Sequence, residues 1–432
     1  MNKKILRLAI PNIISNLSIP LLSSVDTALM GHMDEVYYLG AVAVGGMIFN
    51  FVYWGFGFLR MGTTGLTAQA FGNKNSEESI SILGRALLVA LVAGGLLIVF
   101  QDLIEYISFL IIPTSGNVET HARLYFGIRI FAAPATLALY AITGWFLGMQ
   151  NATIPLMITV VTNGLNIGFN LLFIKQFGMK ADGVALGTVC ANYLGVAFAF
   201  VLFLKKYKGL VKYFNRKLIL DWKKLKKFFQ LNLDIFIRTL SLIFVFSFFT
   251  AKSSQAGETI LAVNSILINL WTILAYGIDG FAFAAESLVG RFVGAKNKSN
   301  FNKAVQLSFI WGIGLGAIIT LIYWIFDKPI IQIFTNNKEL ISLTLVYMTW
   351  TIIAPLVNGF CYIWDGIYIG ATATKAMRNT ALFNTLFIFL PLYYLTIPYL
   401  KNHGLWLALI VFMIARGVSL SFYYKNQILS KF

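Results

Sequence analysis

The sequence has 432 residues, 58% of them hydrophobic and 12% charged, with a mean hydropathy of +0.76. A soluble domain carries roughly 25% charged residues, so this composition excludes a water-soluble globule and makes the bilayer the solvent for most of the chain. The net charge of +17 sits in a few short loops, which argues for the positive-inside rule and against a nucleic-acid partner.

Apolar runs recur along the whole chain at about the 20 residues a helix needs to cross roughly 30 Å of hydrocarbon. The alternating ten-residue strands of an outer-membrane barrel are absent. The runs predict helices over 6–31, 39–71, 80–112, 119–149, 155–177, 182–204, 228–251, 260–293, 303–334, 339–370, 377–399 and 403–424. The first follows a basic tip, MNKKILRLAIPNIISNL, which looks like the start of a signal peptide. No small-x-small cleavage site follows and the stretch runs on into Pro20 and Asp26, so a retained first helix is expected.

Loop charge sets the orientation. The stretch from Lys205 to Lys227 holds ten Lys or Arg against one acid, Asp221. Lys3, Lys4 and Arg7, then Lys296, Lys298 and Lys303, then Lys375 and Arg378 fall on the same side if twelve spans alternate. The opposite loops are mixed or acidic, as at Asp34–Glu35, Lys180–Asp182 and Lys338–Glu339. Both termini and the basic linker are therefore expected in the cytoplasm.

The chain also repeats itself. Gly72-x-Lys74-Asn75 returns as Gly294-x-Lys296-Asn297, Ala133-Pro134 as Ala354-Pro355, Gly148 as Gly370, and Gly183-x-x-Leu186 as Gly404-x-x-Leu407. Four landmarks in order, at offsets of 221 or 222, predict two homologous six-helix lobes. The expected domains are 1–206, a basic linker over 207–227, and 228–432. Six is even, so the lobes should share one orientation, be related by a pseudo-twofold along the membrane normal, and alternate access to a cavity between them.

A charged side chain at a helix centre costs about 2.5–3.5 kcal/mol on insertion scales, so each needs a reason. Asp26, in PLLSSVDTALMGH, has no basic residue at i±3 or i±4. A carboxyl that takes and releases a proton there can couple proton entry to substrate exit; the bland reading is a structural hydrogen-bonding acid. Asp279 and Glu286 lie seven residues apart, on one face of the eighth span. With Asp365 in the tenth span they either bind a cation or proton, or pair with Arg238 or Arg291 and lock helices together. Asn163, Asn166 and Asn170 in the fifth span either glue helices together or line a wet cavity, and from position alone they read first as glue. Arg60, Arg129 and Arg416 read as side chains snorkelling near helix ends or cavity walls. Most Phe and Trp residues read as packing or lipid-facing, with a minority suited to flat, apolar, cationic substrates. Pro11 and Pro20 each free a carbonyl one turn earlier and permit a bend.

Cys190 and Cys361 fall far apart in apolar segments, and His32, His121 and His403 near loops, so neither a disulfide framework nor a metal site is expected. No GxxxxGK[ST], HExxH or GxSxG is present, which leaves no sign of an ATP-driven pump, an enzyme or a cofactor.

PLLSSVDTALMGH at 20–32, RMGTTGLTAQAFG at 60–72, DGFAFAAES at 279–287 and WDGIYIGAT at 364–372 resemble the first, second, eighth and tenth helices of multidrug and toxic compound extrusion (MATE) transporters of the DinF branch. The resemblance runs end to end. It implies an all-α integral membrane protein with twelve transmembrane helices in two homologous six-helix lobes, arranged as a V. It further implies antiport driven by protons or sodium, with extrusion of varied, often cationic, drug-like or toxic compounds. By that resemblance Asp26 is the proton site, Pro11 the bending proline, and Asn166 and Thr188 part of the first-lobe polar cluster. The family's fifth-helix aspartate is replaced here by Asn170, which puts a two-carboxylate scheme in doubt. Asp365 resembles the second-lobe cation acid of the NorM branch, so a sodium ion there stays open.

The expected partners are small, cationic or amphipathic molecules and the lipid bilayer of a bacterial inner membrane, and a monomer suffices. The alternative within the superfamily is a lipid-linked oligosaccharide flippase, whose cavity tends to be arginine-rich, whereas acids occupy the expected cavity here. A major-facilitator fold would put an Asp-Arg-rich loop near 72–79, where the sequence is GNKNSEES.

Overall fold

A backbone inside hydrocarbon has no water to bond, so each apolar run satisfies its own amides by coiling. In a computed structural model describing residues 1–31, 35–112, 114 and 116–432, twelve helices are long and apolar enough to cross a membrane. They are α1 (Asn2–Gly31), α2 (Val36–Gly72), α3 (Ser76–Val99), α4 (Gly116–Gly148), α5 (Thr153–Lys175) and α6 (Ala181–Tyr213) in the first half. The second half has α7 (Trp222–Gln255), α8 (Glu258–Gly294), α9 (Lys298–Ile325), α10 (Lys338–Gly370), α11 (Thr374–Leu400) and α12 (Asn402–Lys431). No strand occurs among the described residues. His32 and Asp34 lie outside them.

Two predicted spans prove too long. The helix expected over 80–112 ends at Val99 and the one over 303–334 ends at Ile325; short helices Gln101–Ile111 and Asp327–Gln332 follow. Hydropathy reads through both breaks because the short helices are apolar on one face. The charges at their starts, Asp102 and Asp327–Lys328, favour the interface over the hydrocarbon, and Arg123 of α4 holds Glu105 at 2.7 Å.

The internal repeat is visible in backbone geometry. Lys74 and Lys296 have φ of 55° and 49°, and Gln150 and Thr372 have 61° and 51°. Each closes a helix as the left-handed residue of a Schellman turn. Asn75 N–H donates to Ala70 O at 2.9 Å and Asn297 N–H to Phe292 O at 3.0 Å, while Asn151 to Phe146 and Ala373 to Tyr368 repeat the pattern. The next helix then starts on the same residue type: Asn75 caps Glu78 N at 2.9 Å and Asn297 caps Asn300 N at 3.0 Å.

Helix packing repeats as well. A Cβ on Gly144 would lie 2.4 Å from Arg60 O and one on Gly148 2.8 Å from Thr64 O. At the repeated positions, a Cβ on Gly366 would lie 2.2 Å from Ala282 O and one on Gly370 2.3 Å from Glu286 O. In each half the fourth helix therefore presses its backbone onto the second, as small residues allow between membrane helices.

The chain divides into two compact units, 14–70 with 75–228 and 1–13 with 71–74 and 229–432. The first has one core around Phe49, Tyr125, Phe126 and Leu137 and another around Trp145, Phe146 and Phe203. Buried Trp145 gives its indole N–H to Ser79 O at 2.9 Å. The second centres on Trp271, Trp406, Phe249 and Phe412, with Phe249 edge-on to Trp406 at 4.8 Å between centroids. Helix α1 runs on through Pro11 and Pro20, and the division between units falls after Ile13, two residues past Pro11.

The basic linker is anchored to the first unit. It forms a helix at Arg216–Ile219, where buried Arg85 of α3 donates to Leu218 O at 3.1 Å and to Glu78 at 2.9 Å. Lys224 pairs with the other oxygen of Glu78. Arg85→Ala is expected to free the linker while leaving the transmembrane helices folded. Limited trypsinolysis would show this as faster cutting between residues 205 and 227, with an unchanged unfolding midpoint of the rest.

Candidate functional site

Helix α5 carries Asn166 and Asn170 one turn apart on one face, 3% and 0% exposed. Helix α6 packs against that face, and its Gly187 makes the room: a Cβ there would sit 2.1 Å from Asn170 Oδ1. Asn170 then spends both amide hydrogens, one on Asp26 Oδ1 of α1 at 2.8 Å and one on Asn166 Oδ1 at 3.0 Å. Asn166 donates to Thr188 Oγ1 at 3.0 Å, and the Thr188 hydroxyl donates to Val184 O at 3.0 Å. The chain Asp26–Asn170–Asn166–Thr188 thus joins three helices. Asn163 reaches α1 separately, donating to Ser18 Oγ at 3.1 Å.

This arrangement offers Asp26 an amide donor, while the oxygen of the same Asn170 amide is buried without a hydrogen-bond partner. Asn170 stabilises a negative Oδ1 in place, and Arg129 of α4 lies within electrostatic reach. The Arg129 guanidinium bonds the Tyr125 hydroxyl and lies 5.0 Å over the Phe49 ring. Tyr53 and Tyr140, which no sequence motif flagged, are also within its field. Nearby, Asn192 of α6 donates to Thr136 of α4 at 2.9 Å.

Gly187→Ala is expected to push the Asn170 amide away from Asp26 and slow coupled transport several-fold, with expression unchanged. Gly195→Ala, also on α6 but facing Thr162, serves as the comparison in a dye-efflux assay.

In the second unit, Asp365 is held by arginines. Its Oδ2 accepts from both Arg238 of α7 and Arg416 of α12, the latter at 2.6 Å. Arg416 is 2% exposed, so its reading as a residue near a helix end or cavity wall is corrected: the carboxylate on α10 provides the counter-charge that lets it stay inside. A sodium ion at Asp365 would have to sit against two guanidinium groups. Arg291, the other arginine expected to pair, lies over the Phe71 ring at 5.3 Å instead. Glu286 is 1% exposed and Asp279 half-buried, and Asp279 acts electrostatically on Tyr276 and Tyr362.

Two polar groups escaped the sequence reading. Asp234 of α7 takes Arg378 at 2.7 Å and Thr374 at 3.1 Å. Asn264 of α8 and Asn402 of α12 exchange amide bonds at 2.8 and 3.0 Å, with Trp406 and Ser253 completing the cluster beside a cavity of about 230 Å³. An acid one turn inside a basic segment and an asparagine at a helix start look like ordinary interface residues, so only spacing across helices could have found them. Among the described residues no group of three His, Cys, Asp or Glu could hold a metal.

Twelve helices long and apolar enough to cross a membrane, built as a duplicated set of six with polar groups buried in each half, make this a polytopic membrane protein. The MatE family model matches residues 11–172 and again 235–395. The chain is 37% identical over 433 residues to DNA damage-inducible protein F of Escherichia coli, covering 99% of this chain and 92% of that one. It is 24% identical to a probable multidrug resistance protein NorM of Thermotoga maritima, over 80% and 74% of the two chains. A solved outward-facing multidrug resistance MATE family transporter shares its fold with a TM-score of 0.87 at 18% identity, over 99% and 96% of the chains. The chain belongs to the MatE family.

Proposed function

We propose that this protein is a proton-coupled antiporter that exports small, often cationic, drug-like or toxic organic compounds by alternating access. The observation that carries the reading is the bond from Asn170 to Asp26 within a buried amide chain. A sodium site gathers several oxygen ligands, as hard cations do. Asp26 instead faces an N–H donor, which suits a group that alternates between carboxylate and acid. Asn170 leaves Asp26 as the titratable carboxyl of this chain, so one acid carries the coupling. The two arginines on Asp365 argue against sodium in the second unit. Pro11, close to where α1 passes from one unit to the other, is the bending point. We place both termini in the cytoplasm on the strength of the loop charges, and the protein as a monomer in a bacterial inner membrane, since one chain already carries both six-helix halves.

The test is efflux of a fluorescent cationic dye from proteoliposomes under an imposed proton gradient or an imposed sodium gradient. Proton-driven efflux that disappears in Asp26→Asn supports the proposal. Sodium-driven efflux indifferent to Asp26 refutes the coupling. If neither gradient moves any cation tested, the drug-antiporter reading fails and the flippase reading takes its place.

A further inference from the structure

The second unit holds an imbalance of buried charge that coupling at Asp26 does not use. Arg238 from α7 and Arg416 from α12 both donate to a single atom, Oδ2 of Asp365. The three residues are 8%, 2% and 6% exposed. Two guanidinium charges therefore meet one carboxylate.

Donors are in excess as well. Nε of Arg238 is buried with no hydrogen-bond partner. Nη1 of Arg416 is left to the thioether sulfur of Met413 at 3.1 Å, a weak acceptor. The nearest acid along α7, Asp234, is one turn from Arg238 but is bonded to Arg378, whose own charge makes that pair neutral. Arginine does not give up its proton in a protein, so the excess cannot be titrated away. An uncompensated charge inside a membrane protein is strongly disfavoured.

We propose that Arg238 and Arg416 bind one small monovalent anion, of halide size, beside Asp365. The charge follows from the excess of one. The size follows from the packing: Cys361, one turn before Asp365 on α10, is 0% exposed, and Leu409 and Met413 on α12 are 0% and 1% exposed. Such surroundings admit an atomic ion more readily than a polyatomic one. The donors that Asp365 leaves unused, Arg238 Nε on α7 and Arg416 Nη1 on α12, are the ones assigned to the anion, which would then tie the two helices together. It goes beyond drug export, because it is a resident ion at a site separate from the proton-coupling acid.

The test uses the full chain in lipid nanodiscs, with thermal unfolding followed in chloride, bromide or gluconate at equal ionic strength. The wild type is expected to unfold at higher temperature in the two halides, saturably. Asp365→Asn raises the buried excess from one charge to two and should lower the half-saturating halide concentration about tenfold. Arg238→Gln removes the excess and should erase the difference between salts. Bromide-soaked crystals of the wild type should show an anomalous peak within about 3.5 Å of Arg238 Nε. An unfolding midpoint indifferent to halide, with no bromide peak, overturns the proposal whether or not either variant folds. A purely structural ion cluster would give that result.

Discussion

Asp26→Asn is expected to abolish proton-driven efflux, by about a hundredfold or more, while the protein still expresses and folds. General acid–base groups typically contribute about 10²–10⁴-fold where a proton transfer is obligatory, and here Asp26 is the carboxyl of the buried chain. The asparagine keeps the shape and can still accept from Asn170 through its Oδ1, so Asn166 and Thr188 stay in place. The effect should therefore fall on coupling and leave stability nearly untouched. Parallel measurements would be dye efflux against an imposed pH step and the unfolding midpoint in detergent. If efflux survives the substitution, the proton travels elsewhere and the second-unit acids Asp279 and Glu286 become the next candidates. Substrate counterflow without any gradient offers a further check. A variant that still exchanges dye across the membrane but no longer responds to pH has lost coupling alone.

Gly366→Val is expected to have the largest effect on folding. A Cβ at this position would lie 2.2 Å from the Ala282 carbonyl oxygen, and that atom is backbone, fixed in a helix. Overpacking of this kind costs about 1–3 kcal/mol and sometimes more. The β-branch aggravates it, because valine has little rotamer freedom in a helix. Helix α10 would have to lift off α8, carrying Asp365 away from Arg238 and Arg416. Because the halves repeat, Gly144→Val should do the same to α4 against α2, where the gap to Arg60 O is 2.4 Å. Fluorescence-detected size-exclusion chromatography of membrane extracts would report both as loss of the monodisperse peak. Gly164→Val, whose added Cβ meets nothing within 4 Å, should retain that peak.

These two substitutions act on different layers of the molecule, and the layers differ in how far the amino-acid sequence reveals them. The twelve spans and the duplication could both be read directly, and Asp26 stood out as an acid inside an apolar run. Bilayer thickness imposes a length on every apolar run, and hydropathy is a property of each residue taken alone. The repeated Gly72, Gly148, Gly294 and Gly370 likewise announced turns and close contacts that the backbone then displays at the same offset. The breaks after Val99 and Ile325 were invisible because an interfacial amphipathic helix is apolar enough to extend a window average.

Which polar groups meet was decided only in three dimensions. Asn170 reaches Asp26 across 144 residues, Arg416 reaches Asp365 across 51, and Arg378 reaches Asp234 across 144. Each meeting depends on the rotation and depth of two helices, which small residues such as Gly187 and Gly366 set through packing. The sequence by itself placed a carboxyl inside an apolar run at positions 26 and 365. The tertiary structure decided that the first meets an amide and the second two guanidiniums, because a charge in hydrocarbon takes whichever partner the neighbouring helix brings within reach.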